Sequence, residues 1–177
     1  MAQPSLIFLA GIGNSGPDHW QRMWYEREGG VWVEHESWDC PVRDAWLKDL
    51  DDALAAADGP KIIVAHSLGC LIATDLAGRE DSGITGAFLV AVPDACGDHF
   101  PEAAEGFNAP PYGRLPFPAV VVASQDDPYG SAEHAAAVAE QLAAEFVDVG
   151  VKGHINASSG LADWPEGWSL FNLHLDR

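Results

Sequence analysis

The segment His66-Ser67-Leu68-Gly69 places a serine on a predicted sharp turn. The β-branched run Ile62-Ile63-Val64 precedes it and small, helix-compatible residues follow it, which is typical of a strand that turns abruptly into a helix. A serine at such a corner projects its hydroxyl above the sheet edge, and the N–H of Leu68 would face the oxyanion of an attacked carbonyl. Ala65 stands where the usual G-x-S-x-G pattern has its first glycine, so the motif alone leaves an ordinary strand–turn–helix as an alternative.

A serine hydroxyl becomes a useful nucleophile only if a neutral histidine takes its proton and a carboxylate orients that histidine. In a parallel sheet, such partners lie in the loops that follow the carboxyl ends of the strands. Asp127 follows the fifth predicted strand and His154 follows the sixth. The order Ser67, Asp127, His154 along the chain is the order found in α/β-hydrolases, and it favours a Ser-His-Asp triad over an incidental serine.

Two other aspartates are alternatives for the acid. Asp126 is adjacent to Asp127, but the two side chains diverge, and we prefer Asp127 because Pro128 fixes the turn beside it. Asp94 follows the fourth predicted strand, where a turn residue is the simpler interpretation. His66 is expected to be structural and to orient the turn by a hydrogen bond. Surface or packing roles are expected for His19, His35 and His99.

The glycine-rich loop after the first predicted strand has two interpretations. Glycines let backbone N–H groups turn toward the nucleophile, so we expect the N–H of Ile12, with Gly13 as the alternative, to pair with that of Leu68 as an oxyanion hole. The segment 11–16 also matches the dinucleotide-binding pattern G-x-G-x-x-G, although Pro17 follows it directly and no acidic residue is well placed about twenty positions further on. A nucleotide-binding α/β protein therefore stays a rival interpretation.

Strand and helix patterns alternate along the chain, and these elements must position Ser67, Asp127 and His154. Several of the predicted strands are continuous apolar runs, which indicates burial on both faces of a parallel sheet and a three-layer α/β sandwich. The predicted strands cover residues 6–9, 31–35, 62–64, 87–92, 119–123 and 145–149, and the predicted helices cover residues 18–28, 41–57, 68–76, 131–142 and 164–175.

Length and composition favour one domain over residues 1–177, because 47% hydrophobic content supports one substantial core. Acidic residues outnumber basic ones 27 to 9, which disfavours nucleic acid and anionic membranes as partners. Three scattered cysteines suggest neither a disulfide framework nor a zinc site, and no His, Asp or Glu spacing suggests a metal, so the hydrolase interpretation predicts no cofactor. No apolar stretch reaches the length of a membrane span, so we expect a soluble, cytoplasmic protein.

Seven tryptophans occur in this small chain. Core and rim packing is the commoner role of such residues, but some of them could line an acyl pocket. Trp20 and Trp164 are the first candidates for that role, and Trp24 and Trp38 are further ones.

Several strings of residues carry a resemblance to a known family. They are GIGNSGPDHWQ at 11–21, HSLGC at 66–70, DPY at 127–129, GHIN at 153–156 and WPEG at 164–167. Over nearly its whole length the chain resembles the small α/β-hydrolases related to retinoblastoma-binding protein nine and their bacterial relatives. The resemblance implies a single-domain minimal α/β-hydrolase without a cap domain, with strand order 2-1-3-4-5-6, and it places the family's catalytic residues on Ser67, Asp127 and His154.

One property of that family does not carry over. Its retinoblastoma-binding pattern, Leu-x-Cys-x-Glu, is absent, because Ile72 stands where the glutamate would be.

The sequence as a whole predicts a serine hydrolase that cleaves small carboxylic esters, thioesters or amides through an acyl-enzyme. Its partner would be a small-molecule acyl substrate. A non-catalytic interaction module on the same scaffold and the nucleotide-binding protein are the alternatives.

Overall fold

The computed structural model describes residues 3–175, in which strands and helices alternate through most of the chain. Between β4 and β5 the chain runs through turns and bends instead of a helix. The elements are β1 (Ser5–Leu9), α1 (Trp20–Glu28), β2 (Val31–Trp32), α2 (Arg43–Ala56), β3 (Lys61–His66), α3 (Leu68–Ala73), β4 (Ile84–Val90), β5 (Ala119–Ala123), α4 (Ala132–Leu142), β6 (Glu145–Asp148) and α5 (Pro165–Leu175), with short 3-10 turns at Thr74–Leu76 and Ala157–Ser159.

The six strands form one sheet in the order β2-β1-β3-β4-β5-β6, and all neighbouring strands are parallel. This order confirms the predicted topology. The chain builds outward from β1 in both directions, so the strand order reverses between β1 and β3. In open α/β sheets the crevice at the carboxyl ends of such strands is where ligands bind.

Helices cover both faces of the sheet. Along β1, Ile7 and Leu9 pack into the core cluster that includes residues of α2, α3 and α4. Leu6 and Phe8 point to the opposite face and pack with residues of α1 and α5. Because successive strand side chains alternate between faces, each apolar strand contributes to both layers of core. The predicted three-layer sandwich is therefore confirmed.

Two strands differ from their predicted bounds by three residues at one end. β2 ends at Trp32 instead of continuing to residue 35, because the chain leaves the sheet and the ring of His35 stacks on Trp46 with 3.9 Å between centroids. β4 begins at Ile84, three residues before the predicted start, because Gly86 still pairs with β3 despite its low strand propensity. Residues 91–92 lie past the end of β4.

The helices are short, and the longest of them, α2, has 14 residues. A helix needs about 20 apolar residues to cross a bilayer. Within residues 3–175, no helix has the length and apolarity that spanning a membrane requires.

Candidate active site

The turn between β3 and α3 holds Ser67 in a strained conformation. Its backbone has φ 53° and ψ −124°, in the region that L side chains rarely adopt. The turn is tight enough that a Cβ on Gly69 would lie 2.3 Å from the carbonyl oxygen of Leu9, so only glycine fits there. The predicted strand–serine–helix corner is present, and it presents the Ser67 hydroxyl at the carboxyl edge of the sheet.

Ser67, His154 and Asp127 form a continuous chain of hydrogen bonds. His154 Nε2 lies 2.8 Å from Ser67 Oγ, and His154 Nδ1 lies 2.9 Å from each carboxylate oxygen of Asp127. The side chain of Asp127 is 1% exposed and that of His154 is 11% exposed. With Nδ1–H donating to the carboxylate, Nε2 is left free to accept the proton of the serine hydroxyl.

The two alternative acids have other contacts. Asp126 Oδ1 accepts hydrogen bonds from the N–H of Gly153 at 2.7 Å and from the hydroxyl of Ser124 at 2.8 Å. The bond from Gly153 is the main reason that the pKa of Asp126 lies below its ordinary value. Asp94 Oδ2 lies 3.9 Å from His134 Nδ1. Asp126 thus ties the loop before His154 to the loop after β5.

The backbone around His154 is held by two buried side chains from the N-terminal half of the chain. His66 Nε2 donates to the carbonyl of His154 at 2.9 Å, and Trp20 Nε1 donates to the carbonyl of Ile155 at 2.8 Å. Ile155 has φ 47°, an uncommon value for a β-branched residue. His66 thus has a structural role, as expected. Its hydrogen bond fixes the loop of His154, however, and not the serine turn itself.

A cavity of about 290 Å³ opens beside Ser67, and both proposed oxyanion residues, Ile12 and Leu68, line it. The glycine-rich loop closely approaches the serine turn, since a Cβ on Gly11 would lie 2.9 Å from the Cβ of Ser67 and 3.4 Å from the N of Leu68. The N–H of Gly13, the alternative donor, is already bonded to the carbonyl of Trp38 at 2.9 Å. The loop geometry therefore favours Ile12.

The same loop does not have the arrangement of a dinucleotide-binding turn. In that motif the glycine-rich turn opens directly into a helix, whose N-terminus meets the pyrophosphate. Here the chain continues past Gly16 through further loop residues, and α1 begins only at Trp20 with His19 as its N-cap.

Within residues 3–175 no group of three or more His, Cys, Asp or Glu side chains could hold a metal ion.

Trp20 and Trp164, which the sequence predicted to line an acyl pocket, lie in the core. Each residue is 1% exposed, and their indoles pack edge to face with 5.2 Å between centroids in the core under α1 and α5. Neither lines the cavity beside Ser67, and neither do Trp24 and Trp38. The physical reason is that this face of the sheet is covered by large aromatic rings, which fill the space between the helices and the strands.

Other residues of the cavity wall were not predicted from the sequence. Tyr129 lines the cavity and packs its ring against His154 with 4.6 Å between centroids, and Phe100 and Pro101 come from the loop between β4 and β5. His19 also lines the cavity, although a surface or packing role was expected. The position of Tyr129 two residues after Asp127 is a sequence signal that could have pointed to it.

Solved structures similar to this chain share its fold. A protein of Pectobacterium atrosepticum described as a YdeN-like hydrolase is 27% identical, with 98% of this chain and 91% of that chain covered and a TM-score of 0.86. The ydeN gene product of B. subtilis is 19% identical, with coverage of 99% and 100% and a TM-score of 0.80. A thermophilic esterase of Thermogutta terrifontis is 15% identical, with coverage of 97% and 89% and a TM-score of 0.66.

No curated protein matches the sequence of this chain. A family model described as "Serine hydrolase" matches it from residue 6 to residue 173. This range includes Ser67, Asp127 and His154 and nearly every element of the sheet. The chain therefore belongs to the serine hydrolase family.

Proposed function

We propose that this protein hydrolyses small carboxylic esters, thioesters or amides through an acyl-enzyme on Ser67, with His154 as general base and acid and Asp127 as the orienting carboxylate. The observation that carries the proposal is the hydrogen-bond chain from Asp127 through His154 to the Ser67 hydroxyl at the floor of a cavity. Membership of the serine hydrolase family supports the same chemistry.

In the acylation step, Ser67 Oγ attacks the substrate carbonyl carbon while its proton passes to His154 Nε2. The developing imidazolium is stabilised by Asp127, which stays ionised. The oxyanion of the tetrahedral intermediate would accept hydrogen bonds from the N–H groups of Leu68 and Ile12. His154 then gives its proton to the leaving group, and the carbon–leaving-group bond breaks.

In the deacylation step, a water molecule gives a proton to His154 Nε2 and attacks the acyl carbonyl. Collapse of the second tetrahedral intermediate releases the carboxylic acid and returns the proton to Ser67 Oγ. This sequence needs only the hydroxyl, the imidazole and the carboxylate, so the proposal assigns no cofactor.

The cavity favours small, uncharged substrates. Its volume of about 290 Å³ is at the lower end of the range for ligand pockets, and no Asp, Glu, Lys or Arg lines it. The protein carries a formal charge of −18, so the surrounding potential opposes the approach of anions. We expect a neutral acyl group in the cavity and a cytoplasmic metabolite-sized molecule as its source.

Labelling with a fluorophosphonate tests this proposal. The probe forms a bond between its phosphorus and a serine oxygen with loss of fluoride, and it modifies serines that a base activates. We expect stoichiometric labelling of wild type and none of Ser67→Ala. Ser158→Ala is the matched control, because Ser158 also lines the cavity but lies outside the hydrogen-bond chain, and it should be labelled like wild type.

Two results would contradict the proposal. Labelling that persists in Ser67→Ala would show that another residue reacts. A wild-type protein that reacts with neither the probe nor small p-nitrophenyl esters would point to the non-catalytic interaction module instead.

A further inference from the structure

Gln21, in the first turn of α1, is completely buried and makes three hydrogen bonds through its side chain. Its Nε2 donates to the carbonyl of Leu9 at 3.0 Å and to the carbonyl of Val64 at 2.9 Å. Its Oε1 accepts from the hydroxyl of Ser15 at 2.8 Å. Because backbone carbonyls can only accept, the amide nitrogen must face them, and this fixes the orientation of the carboxamide. Both N–H groups and the oxygen of the Gln21 side chain are therefore engaged.

These three bonds join the segments that form the proposed oxyanion hole. Leu9 ends β1, directly before the glycine-rich loop, and Ser15 lies in the same loop beyond Ile12. Val64 lies in β3, the strand that leads into Ser67. One buried side chain thus ties both flanks of the Ile12 segment to the strand that carries the nucleophile.

The glycine-rich loop and the serine turn are packed so closely that a small displacement of the loop would matter. A Cβ on Gly11 would lie 2.9 Å from the Cβ of Ser67. An oxyanion donor is effective at about 2.7–3.1 Å from the oxygen that becomes charged, and catalytic groups must be held within about 0.5 Å of that geometry. A loop free to move by more than this would weaken the hydrogen bond from the N–H of Ile12.

Two further contacts hold the loop independently of Gln21. The N–H of Gly13 donates to the carbonyl of Trp38 at 2.9 Å, and Arg22 Nε donates to the carbonyl of Ser15 at 3.1 Å. Loss of the bond between Ser15 and Gln21 would therefore loosen the loop without releasing it. The effect on the oxyanion hole should be smaller than the loss of one of its donors.

We propose that Gln21 is a positioning residue that holds the N–H of Ile12 at hydrogen-bond distance from the oxyanion, with Ser15 as its link to the loop. This inference rests on the proposed hydrolase function. A change in this pair would weaken an interaction made in the transition state, and it would leave substrate binding and the general base unaltered.

Two esters that differ in the atom that becomes negatively charged test the proposal. In p-nitrophenyl acetate the charge develops on oxygen, and in p-nitrophenyl thionoacetate it develops on sulfur, which is a weaker hydrogen-bond acceptor. The ratio of their kcat/KM values therefore measures how well the oxyanion hole works. Displacement of His154 or partial unfolding would lower both values together and leave this ratio unchanged.

Ser15→Ala is the deciding variant, because it deletes the bond to Gln21 and keeps both bonds from Gln21 to the strands. Gln21→Met would leave two strand carbonyls without donors, so that variant is at risk of not folding. Thr74→Val is the matched control. The hydroxyl of Thr74 is also buried and donates to a backbone carbonyl, that of Leu71, at 2.7 Å.

We expect Ser15→Ala to lower kcat for the ester about tenfold and to change KM less than about twofold, because an interaction made only in the transition state is weakened. The ratio of ester to thionoester should fall about fivefold. The acid limb of the pH profile of kcat/KM should keep its wild-type midpoint, because His154 is untouched. Thr74→Val should lower Tm by a similar amount and leave kcat and the ratio within about twofold of wild type.

Several outcomes would overturn the inference. An unchanged ratio in Ser15→Ala, with the fluorophosphonate still labelling Ser67, would leave the pair a purely structural role and the hydrolase function intact. An equal fall of the ratio in Thr74→Val would assign the effect to general destabilisation, and a shifted acid limb in Ser15→Ala would assign it to His154. A wild-type protein that hydrolyses neither ester and is not labelled would overturn the proposed function together with this inference.

Discussion

The bond between Trp20 and the loop of His154 can be removed without touching the residues that are proposed to react. Trp20 Nε1 donates to the carbonyl of Ile155, next to His154, and the indole is buried. Trp20→Phe deletes the donor and keeps an aromatic ring in the core. Trp24→Phe is a closely matched change, because Trp24 is also buried and its Nε1 donates to the carbonyl of Asp163 at 2.7 Å.

Both changes are expected to reduce stability by similar amounts. A buried carbonyl left without its partner costs about 1–3 kcal/mol, and the void beside the smaller ring adds about 1 kcal/mol. The free energy of unfolding should therefore fall by about 2–4 kcal/mol in each variant. For a chain of this length, that corresponds to a decrease in Tm of about 5–15 °C.

The two variants should differ in kcat. In Trp20→Phe the backbone of Ile155, with its unfavourable φ of 47°, loses one of its constraints, and His154 moves relative to Ser67. A misplacement of about 1 Å can lower a rate by about 100-fold, so we expect kcat to fall about 10–100-fold. In Trp24→Phe, His154 keeps both of its backbone contacts, and we expect kcat to change less than about threefold.

The assay is hydrolysis of p-nitrophenyl acetate at 15 °C, well below the expected Tm of either variant, with the concentration of active sites determined by fluorophosphonate titration. Thermal denaturation of the same samples gives the stability of each variant. Equal losses of kcat in the two variants, or full activity in Trp20→Phe at the expected loss of stability, would refute the idea that this indole positions the general base.

Two further predictions concern charge at the site. Asp127→Asn removes the carboxylate that holds the Nδ1–H of His154, and we expect kcat to fall about 10³–10⁴-fold, with Asp126→Asn as the milder control. Stability should also depend on pH, because burial lowers the pKa of both His66 and His19 below the value of about 6.5 in the unfolded chain. Each histidine then stabilises the fold fully above pH 6.5, and that contribution is lost as the pH falls from 6.5 toward 4, by up to about 1.4 kcal/mol per pH unit.

Steady-state kinetics and denaturation at several pH values check these two expectations. Asp127→Asn with more than a tenth of the wild-type kcat would mean that the carboxylate does not orient His154. A Tm that stays constant between pH 7 and pH 5 would contradict the buried, neutral state of the two histidines. His19→Gln should show a shallower loss of Tm over this range than wild type, since one of the titrating groups is gone.

The reacting residues could be predicted because each follows a strand whose apolar pattern is local. Ser67 comes directly after β3, Asp127 lies in the loop after β5, and His154 lies in the loop after β6. Because the strands are parallel, the loops after them lie at one edge of the sheet. The structure places His154 within hydrogen-bond distance of both Ser67 and Asp127. The prediction of these three residues therefore depended mainly on the order and parallel direction of the strands.

The cavity wall could not be predicted in the same way. Whether an indole lines a pocket or fills the core depends on contacts far away in the chain, such as those of Trp24 and Trp164 with Phe88 of β4. The place of His19 depends on how the glycine-rich loop folds back over β3. Neither property leaves a local pattern in the sequence, which is why the tryptophans expected in the pocket lie in the core and why His19 was expected at the surface or in packing.

The two bonds that hold the loop of His154 also set the order in which the active site can form during folding. They join residues that are 88 and 135 positions apart in sequence, and the bond from His154 to Ser67 joins residues 87 positions apart. Contacts of such long range form late, because the entropy of closing the intervening loops must be overcome first. In a chain emerging from the ribosome, Ser67 would thus lack its general base until β6 has paired with the sheet and the following loop has placed His154 beside the serine. Hydrolytic activity would then report completed folding, and partly synthesised chains would be inert.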